Sequence, residues 1–331
     1  MSSPMIHRRQ LLQLGAGLSL AHMLPVGAAA PWPAKPIRII AGQAPGSSND
    51  STARALADYF SQKLGVGVIV ENKPGALGMI AAEAVARSEP DGYTLLMSLH
   101  SQPAQAPVLL KRMPLDPDKD LLPVAAMGVG PVTAVVNKDF APRTLAEVIA
   151  YAKARPVNVG NYSIGSGWQM MLEQLAKDTG AQFNVVHYKG TGAMLLDLYA
   201  GTVDMGAGSL AGVGGGIDKG AIRPVAIVTG ERSNKLPGIP TWADAGFIGP
   251  VYQDLTECNM LFAPAGTPQA ITLRLAELVS LSVSESARVQ SVRNTLGAED
   301  TPLVGDALKQ YIARTWAAYR KVTREMRISV G

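Results

Sequence analysis

Strand-like and helix-like segments alternate after residue 36, and this alternation limits the fold more than any other feature of the chain. Residues 37–41 form a β-branched run with the length of a buried strand, and a polar, glycine-containing turn ends it. Apolar residues then recur at a spacing of four, which predicts a helix that Asn49 or Asp50 caps and Gly65 ends. Further strands are predicted at 66–70 and 94–99, with a helix at 78–87. This order predicts an α/β fold with mostly parallel sheets flanked by helices.

The same alternation returns after residue 130, which predicts a second α/β unit. Thr144 and Glu147 form a capping box that opens a helix, and Thr267 before Pro268 predicts the cap of another. The remaining strands are predicted at 132–136, 157–160, 183–187, 203–206 and 222–228, and the remaining helices at 170–177, 193–200, 271–283, 286–296 and 305–327. About 300 residues remain after the N-terminal stretch, which suits two domains of ordinary size.

Residues 1–30 have the composition of a removable export signal. Arg8 and Arg9 stand directly ahead of an apolar stretch at 11–23, and small residues occupy 26–30. The arginine pair followed by two leucines is typical of a twin-arginine signal, and an ordinary secretory signal or a buried N-terminal helix are the alternatives. We expect the mature chain to work outside the cytoplasm, after cleavage that follows Ala29 or Ala30.

Charge and cysteine content exclude several classes of protein. The chain has 30 basic and 26 acidic side chains, so removal of Arg8 and Arg9 leaves 28 against 26, a nearly neutral protein without the basic excess that nucleic-acid binding needs. Cys258 is the single cysteine, which excludes an intramolecular disulfide. Outside the signal only His100 and His187 remain, too few for a zinc cluster, and no cofactor is predicted.

Four turns are predicted to lie where strands end and helices begin, which is where open α/β sheets bind ligands. The turns at 42–50 and 161–168 matter most, because each leads into a helix whose first amides have no internal acceptor. Two such helix ends could hold a carboxylate without lysine or arginine. The alternative is that they are ordinary polar turns. The other two turns are 98–102 and 206–216.

Catalytic motifs are mostly absent. Residues 161–165 lack the first glycine of a nucleophile elbow, and 206–212 miss the dinucleotide-binding pattern by one residue. His100 could orient a ligand oxygen or act as a base, although a pocket histidine without a catalytic role fits as well. Asp50 is interpreted as a helix cap rather than a base, and Lys189 as either a ligand contact or an ordinary exposed lysine.

Several motifs in a constant order give the chain a family resemblance. They include Trp32-Pro33-Ala34-Lys35-Pro36 and Pro90-Asp91-Gly92-Tyr93, and the matching segments are 32–38, 70–76, 90–96, 115–120, 188–190, 236–241 and 263–268. Through them the chain resembles the Bug family, the periplasmic substrate-binding proteins of tripartite tricarboxylate transporters, from Trp32 to about Arg327.

The resemblance implies a type II periplasmic binding fold with a cleft between two lobes. We expect residues 31–127 with 262–331 to form lobe 1 and residues 128–261 to form lobe 2, with hinge crossings near 124–132 and 252–263. The implied ligand is a small carboxylated solute, and the implied partner is a membrane permease, or alternatively a sensor. The receptor is expected to be a monomer in the periplasm and not an enzyme, while an exported hydrolase or isomerase that uses His100 is the rival reading.

The chain departs from the family pattern in the turns expected to hold the ligand. Gln43 replaces an aromatic residue, Ser47 and Ser48 replace glycines, and Trp168 is expected either to stack on a flat ligand or to pack against the lobe. The predicted ligand-binding residues are Gln43, Gly46, Ser47, Ser48, Asn49, Asp50, Ser98, His100, Ser101, Ser163, Ile164, Gly165, Ser166, Gly167, Trp168, Lys189 and Ser209.

Overall fold

A computed structural model describes residues 32–128, 130–188, 190–228, 232–253, 255 and 257–326. The chain divides into two compact units, residues 1–34 and 35–331, and the fold below is that of the second unit. The predicted export signal at 1–30 lies outside the described residues. Across the described ranges, no helix combines the length and the apolar character needed to cross a membrane.

The first sheet is mixed, with four of its five described strands running in one direction and one strand reversed. Its described strands are β1 (Ile37–Ala41), β2 (Val68–Asn72), β3 (Thr94–Leu99), β4 (Leu121–Gly128) and β10 (Cys258–Pro264). Their order is β2-β1-β3-β10-β4, and β10 runs antiparallel to both of its neighbours. The apolar side chains of β1 are fully buried because the sheet is covered by helices, as its continuous β-branched run predicts.

Helices from both ends of the chain pack on the first sheet. They are α1 (Ser48–Leu64), α2 (Met79–Ala86), α3 (Ser101–Leu109), α4 (Pro117–Asp120), α10 (Gln269–Glu285), α11 (Ala287–Leu296) and α12 (Gly305–Glu325). Helix α1 packs against β1, β2 and β3, and α12 packs against α3 and β4. Gly65 ends α1 in the left-handed conformation at φ 70°, which confirms that part of the prediction.

The second sheet repeats the arrangement with one reversed strand. Its described strands are β5 (Val132–Asn137), β6 (Val157–Asn161), β7 (Phe183–His187), β8 (Met205–Ser209) and β9 (Ile222–Ile227), in the order β7-β6-β8-β5-β9. Strand β5 is antiparallel to β8 and β9, whereas β6 is parallel to β7 and β8. The accompanying helices are α5 (Leu145–Ala154), α6 (Gly167–Thr179), α7 (Thr191–Ala200), α8 (Leu210–Asp218) and α9 (Pro250–Gln253).

The two sheets confirm the predicted two-lobed α/β fold and show how the chain connects them. The chain leaves the first sheet after β4, builds the second sheet from β5 to β9, and returns as β10. Strand β10 begins at Cys258, inside the second expected crossing. The turns that follow the parallel strands of both sheets are therefore brought to face one region.

Helix starts were predicted with mixed success. Thr144 caps α5 as expected, because its Oγ1 accepts from the Glu147 amide at 3.2 Å. The predicted cap of α1 was wrong: Ser47 is the cap, and Asn49 and Asp50 already belong to the first turn. The predicted Thr267 cap was also wrong, because its hydroxyl donates to the Pro264 carbonyl and α10 begins two residues later.

Candidate functional site

A cleft of about 1170 Å³ lies where the turns of both sheets meet. Lining residues at 42–48 follow β1 and those at 162–166 follow β6, while those at 99–105 and 208–212 include the last residues of β3 and β8 and the helix starts after them. These are the carboxyl ends of strands, the place where open α/β sheets bind ligands. Both lobes therefore contribute to one cavity, which is slightly larger than the roughly 300–1,000 Å³ of typical small-molecule sites.

The N-terminus of α1 forms one wall of the cleft and keeps two main-chain donors open. The Ser47 hydroxyl accepts from the Asp50 amide, and the Asp50 carboxylate accepts from the Gly46 amide at 3.0 Å. The Ser47 amide donates to a carbonyl within its own turn. Within the described residues, the amides of Ser48 and Asn49 are paired with no acceptor, as expected of the first positions of a helix.

Asp50 is buried behind this helix end, where it accepts hydrogen bonds from the turn, and it does not line the cleft. Desolvation raises the pKa of its carboxyl, but hydrogen bonds from Arg54, Gly46 and Asn72 outweigh it and hold the pKa below the ordinary value. Asn72 donates to the same carboxylate at 2.8 Å and also to the Gln43 carbonyl, so the turn after β1 is fixed from two sides. The protein's own hydrogen bonds thus hold the N-terminus of α1 in place without a ligand.

The turn after β6 is closed by its own side chains. The Asn161 side-chain oxygen accepts a hydrogen bond from the Ser166 hydroxyl at 2.7 Å, and the Asn161 amide group donates to the Ser163 carbonyl. The Ser166 hydroxyl also caps α6 by accepting from the Gln169 amide, and the Gln169 side chain accepts from the Gly165 amide at 3.0 Å. These donors, which we expected to be available to a ligand, are occupied by the protein itself.

A carboxylate of the chain sits at the N-terminus of α6. Glu257 accepts from the Ser101 hydroxyl at 2.7 Å, from the Tyr319 hydroxyl and from the Gly167 amide, the first amide of the helix. Burial raises its pKa to about 7 even though the three hydrogen bonds lower it. Glu257 is half-buried and lines the cleft, so its carboxyl group faces the cavity in which a ligand would lie.

Two further helix ends reach the cleft from the second sheet. Helix α7 begins after Gly190 and α8 begins after Ser209, and neither has a side-chain cap. The Thr191 methyl group lies where a Cβ on Gly208 or Gly212 would be 2.9 Å away, so glycine at these two positions lets the helix ends approach each other. The first amides of α7 and α8 are therefore open donors that the second sheet contributes to the cleft.

The cleft has an unusual charge pattern. Among the described residues that line it, Glu257 is the only one with a charged side chain, and lysine, arginine and histidine are absent. Positive potential inside the described part of the cavity therefore comes from the helix N-termini of α1, α7 and α8.

Ten of the seventeen predicted site residues line the cleft and six lie behind it. The lining residues are Gln43, Gly46, Ser47, Ser48, Ser101, Ser163, Ile164, Gly165, Ser166 and Ser209. Those behind the lining are Asn49, Asp50, Ser98, His100, Gly167 and Trp168. Lys189 lies outside the described residues, although Tyr188 and Gly190 beside it line the cavity.

The expected ligand contact of His100 is corrected by its position. Its side chain is 0% exposed, its Nδ1 accepts from the Cys258 amide, and its ring packs against Tyr311 and Tyr319. Burial lowers its pKa to about 3, so the imidazole is neutral and holds the end of β3 to the start of β10.

Of the two expectations for Trp168, stacking on a ligand or packing against the lobe, the structure supports packing, and the expected ligand contact of Ser98 is corrected by its burial. The Trp168 indole is 1% exposed, donates to the Gly160 carbonyl at 3.1 Å and stacks on Trp242 with ring centroids 6.4 Å apart, so it is a core residue of lobe 2. Ser98 is fully buried and donates to the Gln102 side chain at 2.9 Å. Gln102 itself lines the cleft.

Sequence reasoning missed several lining residues. Thr191 was placed ahead of a helix predicted to start at 193, whereas it is the first residue of α7. Glu257 belongs to no recognisable motif. The only signal for it would have been its position directly before β10, where the chain returns from the second sheet to the first. Within the described residues, no group of three or more histidine, cysteine, aspartate or glutamate side chains could hold a metal ion.

Two α/β lobes with a cleft at their strand ends, lined by open helix N-termini, define a solute-binding protein of the periplasmic type. The family model "Tripartite tricarboxylate transporter family receptor" matches residues 52–326, and the protein BugT of Bordetella pertussis is 33% identical over 325 residues, covering 96% of this chain and 97% of BugT. The chain belongs to the tripartite tricarboxylate transporter receptor family, which confirms the resemblance drawn from its motifs.

Solved structures agree in fold. Rpa4515 of R. palustris with adipate has a TM-score of 0.80 at 28% identity, covering 90% of this chain and 100% of its own. MatC (Rpa3494) from Rhodopseudomonas palustris with bound malate has a TM-score of 0.72 at 27% identity, covering 88% and 99%. The periplasmic binding protein BugD has a TM-score of 0.76 at 25% identity, covering 90% and 100%.

Proposed function

We propose that this receptor captures a small organic acid in the cleft, with carboxylate groups at the helix N-termini. The observation that carries the proposal is that open amides at α1, from the first lobe, and at α7 and α8, from the second, line one cavity. An anion at one such helix end gains about 0.3–1 kcal/mol, and more where it is desolvated and collects several N–H bonds. The relatives with adipate and malate support an acid with two carboxylates.

The contacts within the proposed site follow from the lining. Ser48 and the amides around it hold one carboxylate, while Ser209 and the starts of α7 and α8 hold the other. Gln43 adds a side-chain donor to the lining of the cleft. Asp50 and His100 keep these turns in place without touching the ligand, so binding proceeds without turnover in this proposal.

Ligand capture closes the cleft in this proposal. Residues 31–127 with 262–331 and residues 128–261 move as two lobes about the crossings near 124–132 and 252–263. A ligand that touches both lobes stabilises the closed form and cannot bridge the open one, so closure is a shift of populations driven by differential contact.

The closed receptor delivers its ligand to the membrane components of a tripartite tricarboxylate transporter, as family membership supports. The arginine pair at 8 and 9 directs a folded monomer to the periplasm, where capture takes place. A gene for a sensor kinase next to this one, in place of genes for paired membrane subunits, would instead assign the receptor to signalling.

A ligand panel tests the proposal. Mono-, di- and tricarboxylic acids and their neutral amides are screened by thermal shift, and hits are followed by calorimetry and small-angle scattering. We expect acids to raise the Tm by mass action and to lower the radius of gyration, while the amides do neither. Binding of only neutral or cationic solutes would overturn the assignment of an anion site.

A further inference from the structure

Glu257 is placed to select among organic acids, because its carboxylate has unused hydrogen-bonding capacity on the side of the cleft. A carboxylate offers about four lone-pair positions. Ser101, Tyr319 and the Gly167 amide occupy three of them, and Glu257 remains partly exposed to the cavity. One acceptor position is therefore left for a group inside the cleft.

The charge of Glu257 is offset by hydrogen bonds and by the N-terminus of α6, and not by a cationic side chain of the described residues. The titratable groups that face it are Tyr162, Cys258 and Tyr319, and all three are neutral at physiological pH because burial raises their pKa values. His100, beyond Tyr319, is neutral as well. No cationic side chain contributes to the electrostatics of Glu257 among the described residues.

The three protein donors also fix the orientation of the carboxylate. Ser101 lies on α3 and Tyr319 on α12, both in the first lobe, whereas Gly167 opens α6 in the second. A Cβ on Gly167 would lie 2.9 Å from the Leu255 carbonyl oxygen, so glycine is required for this close approach. A carboxylate held from two lobes is a preorganised acceptor.

We propose that Glu257 is the specificity-determining residue of the cleft and accepts a hydrogen bond from a hydroxyl or ammonium group of the ligand. The favoured substrates are then organic acids that carry such a donor in addition to their carboxylates. This inference rests on the proposed function, since it concerns a third group on a ligand whose carboxylates occupy the helix ends.

An organic acid without a hydroxyl or ammonium donor binds more weakly in this proposal. Closure of the cleft removes water from the free acceptor of Glu257, and a ligand without a donor leaves that charged group unpaired. Sites built to pair a ligand hydroxyl discriminate strongly against analogues that lack it. We expect a preference of at least about tenfold in Kd for the donor-bearing acid.

The test compares acids matched in carbon skeleton. Succinate, malate and aspartate are titrated calorimetrically into the full mature protein at about pH 8, where Glu257 is ionised. Tighter binding of malate or aspartate than of succinate supports the proposal, and the two arms tell a hydroxyl from an ammonium partner. Succinate binding as tightly as both others would overturn it. Failure of every carboxylic acid would instead refute the proposed function.

Variants locate the preference. In Glu257→Gln the amide is nearly isosteric but uncharged, and the advantage of the donor-bearing acid should fall to less than about threefold while succinate binding improves. Glu277→Gln makes the same charge change on the exposed side of α10 and should keep the wild-type preference. An unchanged preference in Glu257→Gln would contradict the assignment to this residue. If that variant fails to fold, the comparison of succinate, malate and aspartate on the wild-type protein still tests the proposal.

Discussion

Individual residues at the cleft divide into those that face the ligand and those that hold them in place. The Ser47 hydroxyl accepts from an amide at the N-terminus of α1, the helix that it caps. The Glu257 carboxyl accepts from the first amide of α6, a helix far from it in the chain, and also lines the cleft. A carboxylate of the protein itself can therefore bind at a helix N-terminus, and that N-terminus is then no longer available to an anionic ligand. This is why the turn after β6 has fewer open donors than its composition suggests.

The raised pKa of Glu257 predicts a pH-dependent stability. The folded chain keeps this carboxyl protonated up to about pH 7, whereas the unfolded chain releases the proton near its ordinary value of 4.5. Folding therefore takes up a proton in this window, so the contribution of Glu257 to stability falls as the pH rises through it. The Tm of Glu257→Gln relative to wild type should increase between about pH 4.5 and 7.

Thermal unfolding at successive pH values measures this difference. His100 titrates with the opposite sign, because its pKa is lowered to about 3, but it is present in both proteins and cancels. A difference in Tm that stays flat across the window would mean that Glu257 is not desolvated as described.

At the scale of elements, the helices that lead from the cleft are unequal in intrinsic stability. Helix α8 contains three consecutive glycines, which weaken a helix by about 0.5–1 kcal/mol each relative to alanine. Sequence reasoning missed this helix for that reason, and it missed α3 because Pro103 and Pro107 interrupt its pattern. Packing on β8 and α11 compensates for the weak propensity of α8.

Neighbouring glycines in α8 give a matched prediction. A Cβ on Gly215 would meet nothing within 4 Å, so Gly215→Ala should stabilise the protein by about 0.5–1 kcal/mol. A Cβ on Gly216 would lie 2.6 Å from the Tyr199 hydroxyl and 2.9 Å from Ile222, so Gly216→Ala should destabilise it by about 1–3 kcal/mol.

Denaturant titrations of the two variants measure both effects. Equal effects of the two substitutions would mean that α8 does not pack against α7 and β9 as the structure shows.

For the whole molecule, the strand and helix alternation was enough to predict two α/β units, because hydrophobic period and turn residues are local signals. The bounds of β4 and β10 were not predicted, since both strands depend on pairing between residues far apart in the chain. The same limit applies to the site. The turns at β1 and β6 could be predicted from their polar residues, whereas the occupation of α6 by Glu257 depends on a segment about ninety residues away.

The central claim is that main-chain donors at helix N-termini bind the carboxylate without a side-chain cation, and removal of one such donor tests it most directly. Ser48 is the first residue of α1, and the extended conformation of Ser47 before it tolerates proline. Ser48→Pro deletes one open amide while it keeps the helix, and Ser48→Ala removes the hydroxyl alone. Ala287→Pro makes the same change at the first position of α11, which is exposed.

Calorimetric titration of the tightest acid from the panel compares these three variants with wild type. We predict that Ser48→Pro weakens binding at least about tenfold, beyond any effect of Ser48→Ala, whereas Ala287→Pro changes Kd by less than about twofold. Wild-type affinity in a folded Ser48→Pro variant would contradict the account.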